Sequence, residues 1–277
     1  MENKNLNFIF WGTPDVASET LEILKQADYL PSLIITSPDA RSGRGMHLEA
    51  SPVALFAEEN NIPCLKPEKL DDEFTFKLST FNFQLSIVVA YGKIMPENIL
   101  SLPELGSINI HYSLLPKYRG ASPVESAILN GDTETGVTIQ QMEYKMDSGP
   151  VLAVEKTTIN RDEKSAELRQ RLIKIGAGLL IKTLPKIIEG TLNPVSQDES
   201  TATYCTKIKK EDGLIDLSAD AQTNYNKFRA YATWPRTFFF RNGKRIIVTS
   251  SKLVAGKFVI EKIIPEGRKE TVYKENA

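Results

Sequence analysis

Two side chains of complementary chemistry stand one residue apart in the stretch N-I-H-Y-S-L-L-P-K-Y-R-G, residues 109–120, which holds one of only two histidines in a chain of 277 residues. On an extended segment Asn109 and His111 point to the same side. An amide donor and a titratable imidazole then face one small volume. That pairing suits a reaction in which an oxyanion develops on a carbonyl while a proton moves. Leu114-Leu115-Pro116 stops regular structure directly afterwards. The pair is therefore expected at the mouth of a sheet, where α/β proteins keep their sites.

The elements that must position this pair follow from apolar spacing. Residues 6–11 are short, apolar and aromatic, and Gly12-Thr13-Pro14 ends them; Thr13 reads as a helix cap and Pro14 as the first helical position. A second strand is expected over residues 33–36, followed by a polar, glycine-rich loop. Ser51-Pro52 reads as another cap and helix start, and residues 85–90 as a buried strand ended by Tyr91-Gly92. Strand and helix alternating in this order is the signature of a parallel sheet. A strand is expected from Gly136, another from Gly149 to Thr158, and a helix over residues 165–189 closed by Gly190. Residues 192–203 are polar, contain Pro194 and read as a linker. Beyond them come a helix over residues 221–230 and three short β-like runs, at residues 237–240, 245–249 and 257–264.

Composition bounds the function. No apolar run reaches the ~20 residues that span a bilayer, and the polar start leads straight into a strand, so neither a membrane segment nor a signal peptide is expected. Cys64 and Cys205 are too few and too far apart for a disulfide framework or a zinc site. A reduced, cytoplasmic protein without a metal is the expectation. From Tyr204 onward 15 Lys+Arg stand against 8 Asp+Glu, and before it 19 against 27. A C-terminal part that meets a polyanion explains this split, and so does a solvated basic face.

The strings F-W-G-T-P-D-V-A, S-P-D-A-R-S-G-R-G, V-V-A-Y-G-K-I-M-P and N-I-H-Y-S-L-L-P-K-Y-R-G-A-S-P resemble the methionyl-tRNA formyltransferase family. So do G-D-T-E-T-G-V-T-I-Q-Q-M, M-D-S-G, K-I-K-K-E-D-G-L-I-D, F-R-A-Y-A-T-W-P and P-E-G-R-K, in the same order. The resemblance implies an α/β fold. A Rossmann-like catalytic domain over residues 1–190 would be joined by a linker, 191–203, to a smaller, shortened β-rich (OB-like) domain over 204–277. It implies transfer of a formyl group from 10-formyltetrahydrofolate to the amino group of methionyl initiator tRNA, in translation initiation, by a monomer that needs no metal. Asn109 would hydrogen-bond the oxyanion, His111 would orient or stabilise it and assist proton movement, and Asp147 would fix the imidazole. Asp132 and Glu134 are competing carboxylates, but Asp147 stands at the family's D-[TS]-G position.

Ser113, Leu114, Leu115 and Pro116 match the family's folate-binding segment, and Ala90, Tyr91 and Gly92 should line the same pocket. Arg44, in the polar loop, would reach the acceptor end of the tRNA, and Lys207, Lys209 and Lys210 would meet RNA as well. The adjacent Phe238, Phe239 and Phe240 read either as a base-stacking platform or as packing. A formyltransferase acting on a nucleotide-linked amino sugar shares N-x-H, S-L-L-P and D-x-G, and is the nearest rival. A catalytically idle RNA-binding protein is disfavoured by the three candidate catalytic residues. A nicotinamide oxidoreductase fails because Gly43-x-Gly45 is no dinucleotide fingerprint.

Overall fold

A computed structural model describes residues 6–42 and 46–274. Arg44 lies outside the described residues. The chain forms two compact units. The first runs to Arg119 and takes in Gly136–Glu155 and Leu172–Ala202; the second comprises Gly120–Thr135, Lys156–Arg171 and the residues from Thr203 on.

Strand β1 (Phe8–Gly12) is buried at all five positions, as a strand covered on both faces must be. Helix α1 (Asp15–Gln26) follows it. The expected Thr13 cap is not formed: Pro14 occupies the cap position without a side-chain bond. The Thr13 hydroxyl instead donates to the Tyr91 carbonyl at 3.2 Å and lies 3.1 Å from Ser37 Oγ. It thereby ties the loops that follow β2 (Leu33–Ile35) and β6 (Leu85–Val89), a use of the hydroxyl that only the tertiary fold reveals.

After β2 the polar loop contains two short antiparallel strands, β3 (Ala40–Ser42) and β4 (His47–Glu49). A segment so polar and glycine-rich is expected as a loop. Two paired strands need only backbone hydrogen bonds, and β4 is exposed throughout. Helix α2 (Pro52–Glu59) starts where expected, with Ser51 Oγ accepting from the Ala54 N–H. The edge strand β5 (Cys64–Leu65) and helix α3 (Asp72–Ser79), capped by Asp71, come next. After β6 come α4 (Glu97–Leu100), β7 (Ser107–His111), β8 (Arg119–Gly120), α5 (Pro123–Leu129), β9 (Glu134–Gln141), β10 (Val151–Thr158) and α6 (Ser165–Ile188).

Seven strands form one sheet in the order β10-β9-β7-β6-β1-β2-β5. The pairs from β5 to β7 are parallel, and β9 runs antiparallel to β7. The chain moves outward from β1 through β2 to β5, then returns to β6 on the other side of β1. This reversal makes the C-terminal ends of β1 and β6 a switch point, where α/β sheets open a crevice. The register sets Ile9 beside Leu33, and Trp11 beside both Ile35 and Val88. These five residues share a core with Leu78, Tyr91, Met95 and Ile99. Each fully buried apolar side chain contributes ~1.5–3 kcal/mol, so the sheet is a stiff floor for whatever its strand ends carry. On α6, a Cβ at Gly176 would press on Ile110 at 3.0 Å and on Val137 at 3.2 Å. Glycine there lets the helix lie close beneath β7 and β9.

In the second unit, β11 (Tyr204–Cys205) precedes α7 (Ala221–Ala230), which has the expected bounds and is capped by Asp220. A four-stranded antiparallel meander follows: β12 (Phe238–Arg241), β13 (Lys244–Val254), β14 (Lys257–Pro265) and β15 (Thr271–Val272). Two-residue turns join its first three strands. Asn242-Gly243 and Ala255-Gly256 all have positive φ, which matches the twist of the flanking strands. Phe239 enters the core with Tyr225, Phe228, Ile246 and Val248, whereas Phe240 is exposed.

Candidate active site

The antiparallel register sets Asn109 opposite Gln140 and His111 opposite Thr138. Directly opposed residues share a face of the sheet, so four polar side chains form one strip at the end of β7. Thr138 fixes the turn that follows: its hydroxyl donates to the Ser113 carbonyl at 2.7 Å and accepts from the Leu115 N–H at 3.1 Å. Ser113 Oγ donates onward to the Lys117 carbonyl.

The turn brings the Tyr118 carbonyl within 2.9 Å of His111 Nε2. A carbonyl only accepts, so Nε2 carries a proton and Nδ1 is the nitrogen that faces Asp147, 3.6 Å from Oδ2. Asp147 holds a left-handed backbone, φ 51°, and its Oδ1 accepts from Gln140 Nε2 at 2.8 Å. Asn109 is half-buried, and its amide makes no hydrogen bond among the described residues. The structure thus brings His111 and Asp147 together and leaves a free amide on the same strip.

A second set of contacts holds the Asp147 turn from behind. Gln197 Nε2 donates to the Asp147 and Gly149 carbonyls, at 2.9 and 2.7 Å. Its oxygen accepts two bonds from Arg119, Nε at 3.0 Å and Nη2 at 2.8 Å. Arg119 is almost completely buried and also reaches Glu199 Oε1 at 2.7 Å. Lys145 approaches the other oxygen of Glu199. Gly149 lies so close to β9 that a Cβ there would overlap the Gln141 carbonyl. Nothing local in the sequence marks Gln140, Gln197, Arg119 or Glu199. Gln197 and Glu199 lie in the stretch that reads as a linker, whose polarity hides the pairing of Val195 with Val151.

The Arg119 and Lys145 hydrogen bonds, Arg119 first, hold the Glu199 carboxyl down at about 2. A carboxyl lowered on folding stabilises the fold above its unfolded value of 4.5, and this contribution is lost as pH falls through about 2. We expect Glu199→Gln to flatten the pH dependence of urea unfolding below about pH 4.5 and to leave its shape near neutrality unchanged. Identical acid limbs for the two proteins would refute this.

The residues expected to line a folate pocket divide. Ala90 and Gly92 are exposed beyond the end of β6, both with positive φ. Tyr91 is buried edge-on against Trp11, 5.2 Å between ring centres, and burial pushes its phenol up to about 12. Leu115 is buried, Leu114 and Pro116 half-buried. Lys207, Lys209 and Lys210 are exposed and form no ion pair among the described residues. Glu134 is paired with Lys156 on the surface.

Comparison with known proteins places this geometry in a class. Residues 4–184 match the formyl transferase family, and residues 207–272 match the formyl transferase C-terminal domain. Fold and match together define a two-part formyltransferase, an enzyme. Over 88% of its length the chain is 41% identical to methionyl-tRNA formyltransferase of Desulfotalea psychrophila, covering 76% of that protein. Over 90% of its length it is 38% identical to the Sulfurihydrogenibium protein of the same name, covering 81% of it. The chain belongs to the methionyl-tRNA formyltransferase family. Among solved structures it is similar to methionyl-tRNA formyltransferase from Clostridium thermocellum, with TM-score 0.63, 15% identity and coverage of 94% of this chain and 98% of that one. It is similar also to WlaRD, a sugar 3N-formyl transferase, with TM-score 0.70, 19% identity and 98% of each chain covered.

Proposed function

We propose that this chain transfers the formyl group of 10-formyltetrahydrofolate to the α-amino group of methionyl initiator tRNA, as a cytoplasmic monomer serving translation initiation. The observation that carries the chemistry is the unpartnered Asn109 amide beside the His111–Asp147 couple on one face of the sheet. The amine attacks the formyl carbon, and a C–N bond forms while the carbonyl electrons move to oxygen. Asn109 donates a hydrogen bond to that oxyanion. The attacking nitrogen must lose a proton, and the leaving folate nitrogen must gain one as its bond to carbon breaks. Asp147 and His111 Nδ1 hold the travelling proton between these events, and Tyr118 keeps the ring from turning. An imidazolium formed in this way also stabilises the oxyanion by its charge. Ala90, Tyr91, Gly92 and the turn from Ser113 to Pro116 frame the folate, with Leu114 placed to touch its ring. Gln140, Gln197 and Arg119 position Asp147.

The family of the chain and the basic residues after Tyr204 support a tRNA acceptor; Arg44, Lys207, Lys209 and Lys210 are assigned to its phosphates. A nucleotide-linked amino sugar is the second reading, favoured by the likeness in fold to a sugar formyltransferase. Offering both acceptors to one preparation with 10-formyltetrahydrofolate separates the two. We expect formyl-methionyl-tRNA as the product, and formylation of the amino sugar alone would overturn the reading.

A further inference from the structure

The second unit contains a cavity of about 240 Å³, lined among others by Lys164, Phe228, Tyr231, Arg236, Thr237 and Thr249. No carboxylate lines it. The Lys164 ammonium lies over the Phe228 ring, 5.4 Å from its centre, and neither Lys164 nor Arg236 forms an ion pair among the described residues. Neighbouring acids have other partners: Glu167 accepts from the Lys164 N–H, Glu163 pairs with Arg171, Glu125 with Arg169, and Asp212 accepts from the Lys209 N–H. Thr237 is 1% exposed, yet its hydroxyl has no partner; the Thr249 hydroxyl is likewise buried and unpartnered. Neither hydroxyl bonds the strand backbone, which is paired independently of them, the Thr237 carbonyl accepting from the Val248 N–H. Thr249 sits where the register of β13 against β14 shifts, the kind of irregularity that re-aims a side chain.

Buried hydroxyls are normally satisfied, and two cations without counter-ions beside two spare donors describe an anion site of definite shape. We propose that this cavity binds a phosphate group. Two hydroxyls and a lysine present point donors, and the planar guanidinium of Arg236 can bind two oxygens at once. The inference deepens the proposed function, because the tRNA backbone is the phosphate source that reading supplies; free phosphate is the other source.

The test uses the full chain and three variants, Thr237→Val, Lys164→Gln and Arg236→Gln, in two assays. One measures affinity for uncharged tRNA across a salt series, the other the thermal midpoint across a titration with inorganic phosphate. If the tRNA backbone occupies the cavity, each charge variant should make the salt slope shallower by about one unit. Thr237→Val, which keeps shape and charge, should weaken tRNA binding several-fold at an unchanged slope. Loss of the phosphate-induced rise in midpoint with tRNA affinity intact supports the site with free phosphate as its ligand. Three variants that match the parent in both assays overturn the proposal. Absence of methionyl-tRNA formylation by the parent would overturn the proposed function instead, and the phosphate titration would still judge the cavity.

Discussion

Alanine at Asn109, His111 or Asp147 is expected to slow formyl transfer at saturating substrates by at least about 10²–10³-fold each, the usual cost of losing a preorganised donor of this kind. The circular dichroism of each variant should match that of the parent. The reasons differ from residue to residue. Asn109→Ala removes the amide that makes no hydrogen bond among the described residues. His111→Ala removes the ring held between the Tyr118 carbonyl and the Asp147 carboxylate. Asp147→Ala removes the group against which Nδ1 would take up a proton. Because the last two act on a single proton, their double variant should be little worse than either single one. Single-turnover rates measure this directly. Near-normal turnover by His111→Ala with an intact fold would end the assignment.

Gly149→Ala should come close to the effect of Asp147→Ala, although residue 149 bears no functional group. The added Cβ overlaps the backbone carbonyl of Gln141, the last residue of β9, which is held in register opposite Ile108 and whose N–H is bonded to the Pro150 carbonyl. The turn must move instead, taking with it the carbonyls that Gln197 holds and the Asp147 carboxylate. A displacement of about 1 Å at a reacting group costs on the order of 10²-fold in rate. We expect a loss of that size in kcat, together with a lowered thermal midpoint. A Gly149→Ala protein with the kcat of the parent would show that the turn tolerates the shift and that Gln197 does not position Asp147.

Much of the frame was legible because short periodic patterns suffice for it. Buried strands such as β1 and β6 are largely apolar runs, α2 begins where its Ser51-Pro52 cap indicates, α6 spans nearly its expected bounds, and α7 has the expected bounds. The Asn109–His111 spacing likewise needed only the two-residue repeat of a strand. What stayed hidden depends on residues far apart in sequence. Gln140 joins the strip because β9 pairs with β7 in one particular register. Gln197 reaches Asp147 across 50 positions and Arg119 across 78. Nothing local marks such a glutamine in a polar stretch. Thr13 failed as a cap for a similar reason, since a better partner arrived from a distant loop. Helix α3 escapes notice because, unlike α2 of the same length, it has no proline at its first position to mark its start.

The way Gln197 grips the Asp147 turn bears on how the enzyme can be divided. A fragment ending at Gly190 would keep every strand of the seven-stranded sheet, and with them Asn109, His111 and Asp147. It would lack the side chain that fastens the Asp147 and Gly149 carbonyls and the carboxylate that neutralises Arg119. A buried guanidinium would then be left with no counter-charge from Glu199, and the turn would lose its brace. The smallest piece that carries the whole proposed site therefore extends past Glu199. On that reading the polar connection belongs with the site, and shuffling or fusion of these modules has to cut downstream of it.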